Sequence, residues 1–301
     1  MNKIDLQIQS TASDGKYAPA KLVEMAKENG LETIAITDHD TINGVKEAME
    51  RGNVLGVRVI PGIEMSAHLE ELECHILGYG IDINNEKLLS RLAYFQNDRV
   101  RRIHKMVENL QKEGFEITFD DVAKQAKGVL TRPHVAMAIL ENPANQKKLN
   151  GINSIHDFIE EYIIPGKPGY ANREYVDAKE AIDLIHEAGG AAVWSHPAIH
   201  FEDYTALENA LKKLLDSEID GLEAFSPSNT KEDAEKLLKL AKKYGLVFTA
   251  GSDFHQETPN RDIPQGQRPA KTVGDFDTFG YSIDSVIPEL ERAIEKRNET
   301  M

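Results

Sequence analysis

The sequence predicts an α/β barrel of about seven strands with an inserted block of helices. Three observations carry this. A phrase recurs in which an amphipathic helix runs into glycine and then into a short β-branched run that stops at a metal-ligating type of side chain. Further apolar runs of strand length raise the strand number enough to favour a closed barrel over an open sheet. One long stretch, residues 85–163, has helical periodicity throughout and no strand rhythm.

In chain order, residues 3–9 form the first apolar run, which ends on Gln7 and Gln9. The first full phrase is a helix over 21–29, Gly30, and a strand over 33–37 that leads to His39. Glycine after the last helical turn suits the left-handed C′ position, and so short an apolar run suits a strand buried on both faces. Strands are also predicted at 57–60 and 75–79. The insertion follows, with a long charged helix over 88–113 closed by Gly114 and shorter helices over 119–126, 133–141 and 155–162. It is bounded by Asp82-Ile83-Asn84 and Pro165-Gly166-Lys167-Pro168-Gly169, and reads as a cap over the barrel mouth that excludes water and supplies substrate contacts. The phrase returns as a helix over 178–188, Gly189 and a strand over 191–195 leading to His196, with another strand at 221–225. Its third occurrence is a helix over 235–244, Gly245 and a strand over 247–250 leading to Asp253. Strands alternating with helices predict a parallel sheet whose following loops converge on one face. The expected division is a barrel over 1–84 and 164–285, a helical cap over 85–163, and a C-terminal helix and tail over 286–301.

Composition narrows the function classes. At 301 residues with 41% apolar content the chain can bury a large core. Thirty-five basic against fifty acidic residues give a net charge of −15, which argues against a broad nucleic-acid or anionic-membrane surface while allowing a local basic pocket. Cys74 is the single cysteine, so no intrachain disulfide forms, and it reads as a packing residue. Met1-Asn2-Lys3 opens no signal peptide or long apolar stretch, and the expected location is the cytoplasm.

The strand ends carry the chemistry. Asp253 and His255 lie two apart after a strand and can share one face toward adjacent ions. His39 sits between Asp38 and Asp40, where a neighbouring carboxylate would orient its ring. Glu64 follows Pro61-Gly62-Ile63 and is placed to bridge two ions; His75 precedes Ile76-Leu77-Gly78-Tyr79, and His196 follows an apolar strand. Each alone has a bland alternative as a cap, a core histidine or a solvated acid. Five such sites at strand ends point instead to bound divalent metal.

These motifs resemble the PHP (polymerase and histidinol phosphatase) family, in its nucleotide-phosphatase-like branch with a helical insertion, from Ile4 to about Gly280. The family's first motif, Asp-Leu-His-x-His-Ser/Thr-x-x-Ser-Asp-Gly, stands here as Asp5-Leu6-Gln7-Ile8-Gln9-Ser10-Thr11-Ala12-Ser13-Asp14-Gly15, matched except at both histidines. Ile36-Thr37-Asp38-His39-Asp40-Thr41, Gly62-Ile63-Glu64, His75-Ile76-Leu77-Gly78-Tyr79, Ser195-His196-Pro197 and Gly251-Ser252-Asp253-Phe254-His255 complete the set in order. The resemblance implies a distorted (β/α)7 TIM-like barrel holding two or three divalent ions (Mn, Zn, Mg or Fe) for phosphoester hydrolysis. It implies one site from Glu64, His75 and His196 and a second from Asp14, His39 and His255. Asp14, His39, Glu64, Asp253 and His255 become the catalytic set. The third site would take Gln7 and Gln9 with Glu64 and Asp253, and a neutral amide oxygen is a weak, hard ligand, so this ion is expected to be weak or absent.

Substrate contacts are expected in the cap and at its exit. Thr131-Arg132-Pro133-His134 opens a helix whose free N–H groups favour an anion, with Arg132 able to grip phosphate in a fork. Lys167 lies on a rigid turn, and the family branch carries a similar Arg-Pro-His and Gly-Lys pair, so Arg132, His134 and Lys167 are the expected phosphate binders. Tyr170 is a candidate to stack on a base, and His68 and His200 lie near enough to the motifs to touch substrate or replace a ligand. His104, His156 and His186, and the pairs Glu70-Glu71 and Glu160-Glu161, read as surface charge. The expected function is a metal-dependent phosphohydrolase acting on a small phosphorylated metabolite such as a nucleoside 3′,5′-bisphosphate or a cyclic phosphate, with no long nucleic acid and no membrane as partner. Two alternatives stay open: a catalytically impaired protein, natural or engineered, that binds phosphorylated ligand, and a short-oligonucleotide exonuclease.

Overall fold

Among the described residues, seven strands make one sheet whose spatial order is the order of the chain: β1 (Ile4–Asp5), β2 (Thr33–Ile36), β3 (Arg58–Leu69), β4 (Leu72–Tyr79), β5 (Ala191–Trp194), β6 (Gly221–Phe225) and β7 (Val247–Ala250). The computed structural model describes residues 3–126, 128, 130–172, 176–201, 203–257 and 269–299. The chain after β1 returns to the chain after β7, where Leu6 N–H donates to Ala250 O and Gln9 N–H to Phe254 O, both at 3.0 Å, and Ile8 pairs in parallel with Phe254. These bonds bring the sheet nearly to closure as a barrel. Strands β2 and β5 are buried at every residue, as expected of runs apolar on both faces.

The sheet is mixed, which corrects the all-parallel expectation. β4 is antiparallel to both neighbours, forming a hairpin with β3 in register from Gly62 opposite Tyr79 to Leu69 opposite Leu72. The reason is chain length. A parallel return needs a crossover of a dozen or more residues, whereas only Glu70 and Glu71 separate β3 from β4, and Glu70 takes the left-handed turn at φ 56°. β3 therefore extends well beyond 57–60 and carries Glu64 within the strand. In the recurring phrase, Gly30, Gly189 and Gly245 take positive φ (75°, 78° and 68°), as their place after a helix requires.

Helices α1 (Pro19–Glu28) and α2 (Val45–Leu55) pack on β2 and β3 through Leu22, Val23, Ala26, Ile34, Ile36 and Ala48. Among the described residues, the insertion after β4 carries five α-helices: α3 (Glu86–Lys112), α4 (Phe119–Gln125), α5 (Arg132–Glu141), α6 (Gln146–Leu149) and α7 (Ile155–Tyr162). After β5 come α9 (Tyr204–Leu215), α10 (Lys231–Tyr244) and α11 (Val286–Glu299), with α8 (Ala178–Glu187) before it. The insertion has its own apolar cluster around Met106, Leu110, Phe115, Val135, Ile139 and Phe158. α3 joins the two cores, for its first half buries Leu88, Leu92 and Phe95 in the barrel core and its second half buries Ile103, Met106 and Leu110 in the other. At about 1.5–3 kcal/mol per fully buried large apolar side chain, this shared helix ties the insertion firmly to the barrel. Cys74 is a buried packing residue whose thiol is pushed up to about 12 by burial. Among the described residues no helix is long and apolar enough to cross a membrane.

Candidate metal centre

Glu64 is the centre of the site. Its place in β3 gives it neighbours on both sides, and its carboxylate is fully buried. The Nδ1–H of His75, from the opposite strand β4, donates to Oε1 at 3.0 Å. His196 Nε2 lies 3.3 Å from the same oxygen, and His39 Nδ1 lies 3.6 Å from Oε2. Burial opposes ionisation of Glu64, but the attraction of His39, His75 and His196 prevails and holds its carboxyl well below the usual carboxylate range. His75 answers in kind: burial lowers its proton affinity, Glu64 more than restores it, and the net shift is upward. The His75 ring sits between the His39 and His196 rings, at 5.0 and 5.2 Å between centroids.

A second group meets at the strand ends. Ligand atoms of Asp14, His39 and His255 lie within 4.8 Å of one another, as do those of His39, Glu64 and His75, so His39 is common to both groups. His255 Nε2 is 3.5 Å from Asp14 Oδ1, and its Nδ1 is 3.7 Å from Asp253 Oδ1. Burial works against the His255 charge, but Asp253 and Asp14 overcome it and carry the ring to about 9. Asp14 is held low by His39 and His255 against its own burial, while Asp253 is pushed up chiefly by burial. Asp14 Oδ1, His39 Nδ1 and Asp253 Oδ1 are buried with no hydrogen-bond partner among the described residues. Orphaned acceptors of this kind, set among imidazoles and carboxylates, fit divalent cations. Asp40, His196 and Asp253 take positive φ (51°, 27° and 48°), so the fold holds these residues in conformations that cost energy.

Several supporting carboxylates were not legible as such. Asp38 and Asp40 were expected to orient the His39 ring, yet Asp38 accepts from Ser10 N (2.7 Å), Ser10 Oγ (2.7 Å) and Ser13 Oγ (2.7 Å), fixing the first-motif loop. Asp40 accepts from Ser66 N (2.8 Å), Ser66 Oγ (2.9 Å) and the Arg99 guanidinium of α3. Asp5 accepts from Ser252 N (2.8 Å), Ser252 Oγ (2.5 Å) and Gly274 N (2.6 Å), locking the segment that presents Asp253; burial raises it to about 6. Glu223 in β6 accepts from His196 N at 3.0 Å and is pushed well up by burial and by Asp253. A lone acid inside the apolar run 221–225 was the available signal for Glu223.

The expected phosphate binders divide. Arg132 and Thr131 line a cavity of about 290 Å³ together with Asp14, His39 and His75. Arg132 Nη2 lies 3.5 Å from Glu73. His134 is buried and accepts Thr131 N–H at its Nδ1 (3.0 Å), which leaves Nε2 as its proton-bearing nitrogen; burial lowers its proton affinity. Lys167 is not among the residues lining this cavity and pairs with Glu161 at 3.2 Å. Arg99 and Arg102 line it instead; the sequence reading passed over both, although Arg99 is buried in the apolar stripe of α3, four residues from Phe95 and four from Ile103, where a charge was the available signal. Tyr170 lies under the Arg102 guanidinium, 5.5 Å from its ring centroid. Glu160 lines the cavity and is therefore not simple surface charge, while Glu70 and Glu71 form the hairpin turn. His186 also departs from expectation, since its Nε2 pairs with Asp220 at 2.8 Å. His104 stacks on Phe119, His156 is exposed, and His200 lies 6.0 Å from the His196 ring; burial, then His196, lowers His200 to about 4. His68 lies at the edge of the hairpin, bridging to Asp177.

The PHP domain pattern matches residues 5–255. A 5′-3′ exoribonuclease of Escherichia coli (strain K12) is 32% identical over 258 residues, covering 85% of this chain and 86% of that protein. A 3′,5′-nucleoside bisphosphate phosphatase of Chromobacterium violaceum is 28% identical over 257 residues, covering 85% of this chain and 88% of that one. A Bifidobacterium adolescentis structure described as a metal-dependent phosphoesterase superposes with a TM-score of 0.79 at 28% identity, covering 96% of each chain. The chain belongs to the PHP domain family of metal-dependent phosphoesterases.

Proposed function

We propose that this protein hydrolyses a phosphate ester of a small nucleotide, with a nucleoside 3′,5′-bisphosphate or a cyclic phosphate as the substrate class, in a reducing cytoplasm. One observation carries the reading: the cavity that exposes Asp14, His39 and His75 is also lined by Arg99, Arg102 and Arg132. Ligand atoms and phosphate-binding cations thus face the same space. At about 290 Å³ the cavity falls near the lower end of small-molecule sites, roughly 300–1,000 Å³, and suits one nucleotide better than a polymer.

Asp14, His39 and His255, and Glu64, His75 and His196, are the residues that would hold divalent cations. Such ions, when bound, lower the pKa of water and neutralise phosphoryl charge. The chain's own residues supply the rest. Arg132 presents donors to phosphoryl oxygens, with Glu73 orienting its guanidinium. His134, neutral and carrying its proton on Nε2, is not among the residues lining the cavity; its charge interaction with Asp14, a lining residue, supports a role beside it as a proton donor. Ile103, Leu130, Pro133, Ile159 and Ile164 give the cavity an apolar wall for a base and restrict water.

A second reading has specific support. The E. coli relative named as a 5′-3′ exoribonuclease is somewhat more similar than the phosphatase, at 32% against 28% identity, and in this reading removal of a 5′-terminal nucleotide from short RNA uses the same cavity for the terminal residue. The net charge of −15 disfavours long RNA. Phosphate release from adenosine 3′,5′-bisphosphate and mononucleotide release from a 5′-phosphorylated short RNA, each with Mn²⁺ and with Mg²⁺, separate the two. Turnover of neither above the metal-free background, with Gln7→His plus Gln9→His restoring it, would refute the active-enzyme reading and identify an impaired ligand-binding form.

A further inference from the structure

We propose that Gln7 and Gln9 close an ion position beside Glu64, their amide N–H groups standing where a cation would otherwise contact that carboxylate. This chain then binds one ion fewer than a form with histidine at both positions. Gln7 Nε2 donates to Glu64 Oε1 at 3.1 Å and to Ser195 Oγ at 2.9 Å. Gln9 Nε2 donates to Glu64 Oε2 at 2.5 Å. All four side chains are buried, with relative exposure of 0%.

An amide nitrogen carries two hydrogens and offers no lone pair to a metal, so what faces Glu64 is a pair of donors and not a pair of weak ligands. The orientation follows from the network. Exchanging oxygen and nitrogen on either amide would set an acceptor against a carboxylate oxygen at these same short distances. The Gln9 oxygen faces Ser13 Oγ at 3.2 Å and shares that hydroxyl with Asp38, the closer acceptor at 2.7 Å. Gln7 Oε1 is the acceptor the arrangement leaves without a partner, and it amounts to one neutral ligand. Seating an ion between these residues and Glu64 would break buried, charge-assisted hydrogen bonds on both amides in exchange for amide oxygens, the poorest ligand type in the site. Both glutamines reach the carboxylate from the segment after β1 that bonds to β7 and the chain beyond it.

The inference rests on the metal-dependent reading above, so its test counts ions and not turnover. Purified protein and the Gln7→His/Gln9→His variant are loaded with Mn²⁺, desalted and assayed for metal by mass spectrometry. The variant is expected to retain one more equivalent per chain. Anomalous scattering from Mn²⁺-soaked crystals of the unaltered protein is the second measurement, expected to show peaks among the histidine–carboxylate groups and none within ligand distance of Gln7 or Gln9. Equal equivalents in a folded variant, or a peak ligated by either glutamine, would overturn the inference. If the variant does not fold, the crystals of the unaltered protein decide alone. Peaks at the histidines without one at the glutamines support it even in a protein that releases no phosphate.

Discussion

Replacing Asp5 with alanine is expected to cost about 4 kcal/mol of folding stability at pH 5, and less at pH 8. Asp5 is fully buried and closes the barrel by accepting from Ser252 N, Ser252 Oγ and Gly274 N at 2.8, 2.5 and 2.6 Å. The serine hydroxyl can rotate to another acceptor, but the two short backbone donors, Ser252 N and Gly274 N, cannot; Gln7 N, at 3.3 Å, is a third and weaker one. At about 1–3 kcal/mol for each buried donor that loses its acceptor, two give about 4. The pH term has a definite sign. Burial raises the Asp5 carboxyl from 3.8 to about 6, so the folded state holds this proton more tightly than the unfolded chain. Stability from the protonated acid is therefore present in acid and declines as pH rises from about 4 to about 6, by up to roughly 3 kcal/mol in all. Alanine lacks this term, and the gap between the two proteins narrows with rising pH. Urea unfolding followed by the fluorescence of Trp194, the single tryptophan and fully buried, reads both quantities at pH 5 and pH 8. A loss under about 1 kcal/mol at pH 5 would show that the donors find water or another acceptor. A gap that widens with pH would show that ionised Asp5 is the stabilising form.

Further expectations follow from the same geometry. Arg132→Ala should lower kcat/KM by about 10–100-fold, corresponding to about 1.5–3 kcal/mol for a charged hydrogen bond, with lysine a poor replacement for the fork. Unchanged kinetics would remove Arg132 from the phosphate site. Lys167→Ala should leave kcat/KM within about twofold, because its partner is Glu161 and it does not line the cavity; a tenfold fall would reinstate it. His255, raised to about 9 against an ordinary 6.5, stabilises the metal-free protein fully below pH 6.5 and loses that contribution as pH rises through about 9. The melting temperature of metal-free protein should thus fall over this interval more than that of His255→Gln, while metal affinity rises as the proton leaves; parallel profiles would contradict it. A double-mutant cycle of Arg99→Met with Ser66→Ala, whose side chains meet at 3.0 Å, should return a coupling of about 0.5–3 kcal/mol in unfolding. A cycle that adds to zero would mean that α3 is not tied to β3 through this contact.

How much could be read in advance varied with the physics of each element. The three helix–glycine–strand phrases were legible because buried strands and helix ends leave strong local marks: continuous apolar runs, and glycine where φ must be positive. The ligand motifs were legible by residue type and order. The β3–β4 hairpin was not, since its turn is Glu70-Glu71 without the glycine or asparagine that marks most tight returns. Arg99 and Arg102 are a different case. Helical period did place Arg99 in the buried stripe of α3, between Phe95 and Ile103, but only tertiary contacts show that it meets Asp40 and Ser66 and that both arginines border the cavity.

Sequence by itself therefore determined the α/β class, the family motifs and the set of side chains able to hold metal, because these depend on residue type and on periodicities of a few residues. Only the tertiary structure decided which of them meet: that His39 belongs to both ligand groups, that Lys167 turns to Glu161 while α3 delivers two arginines, and that Gln7 and Gln9 face Glu64 through nitrogen. Those outcomes depend on contacts between residues far apart in the chain, and on which end of a planar amide a buried carboxylate will accept.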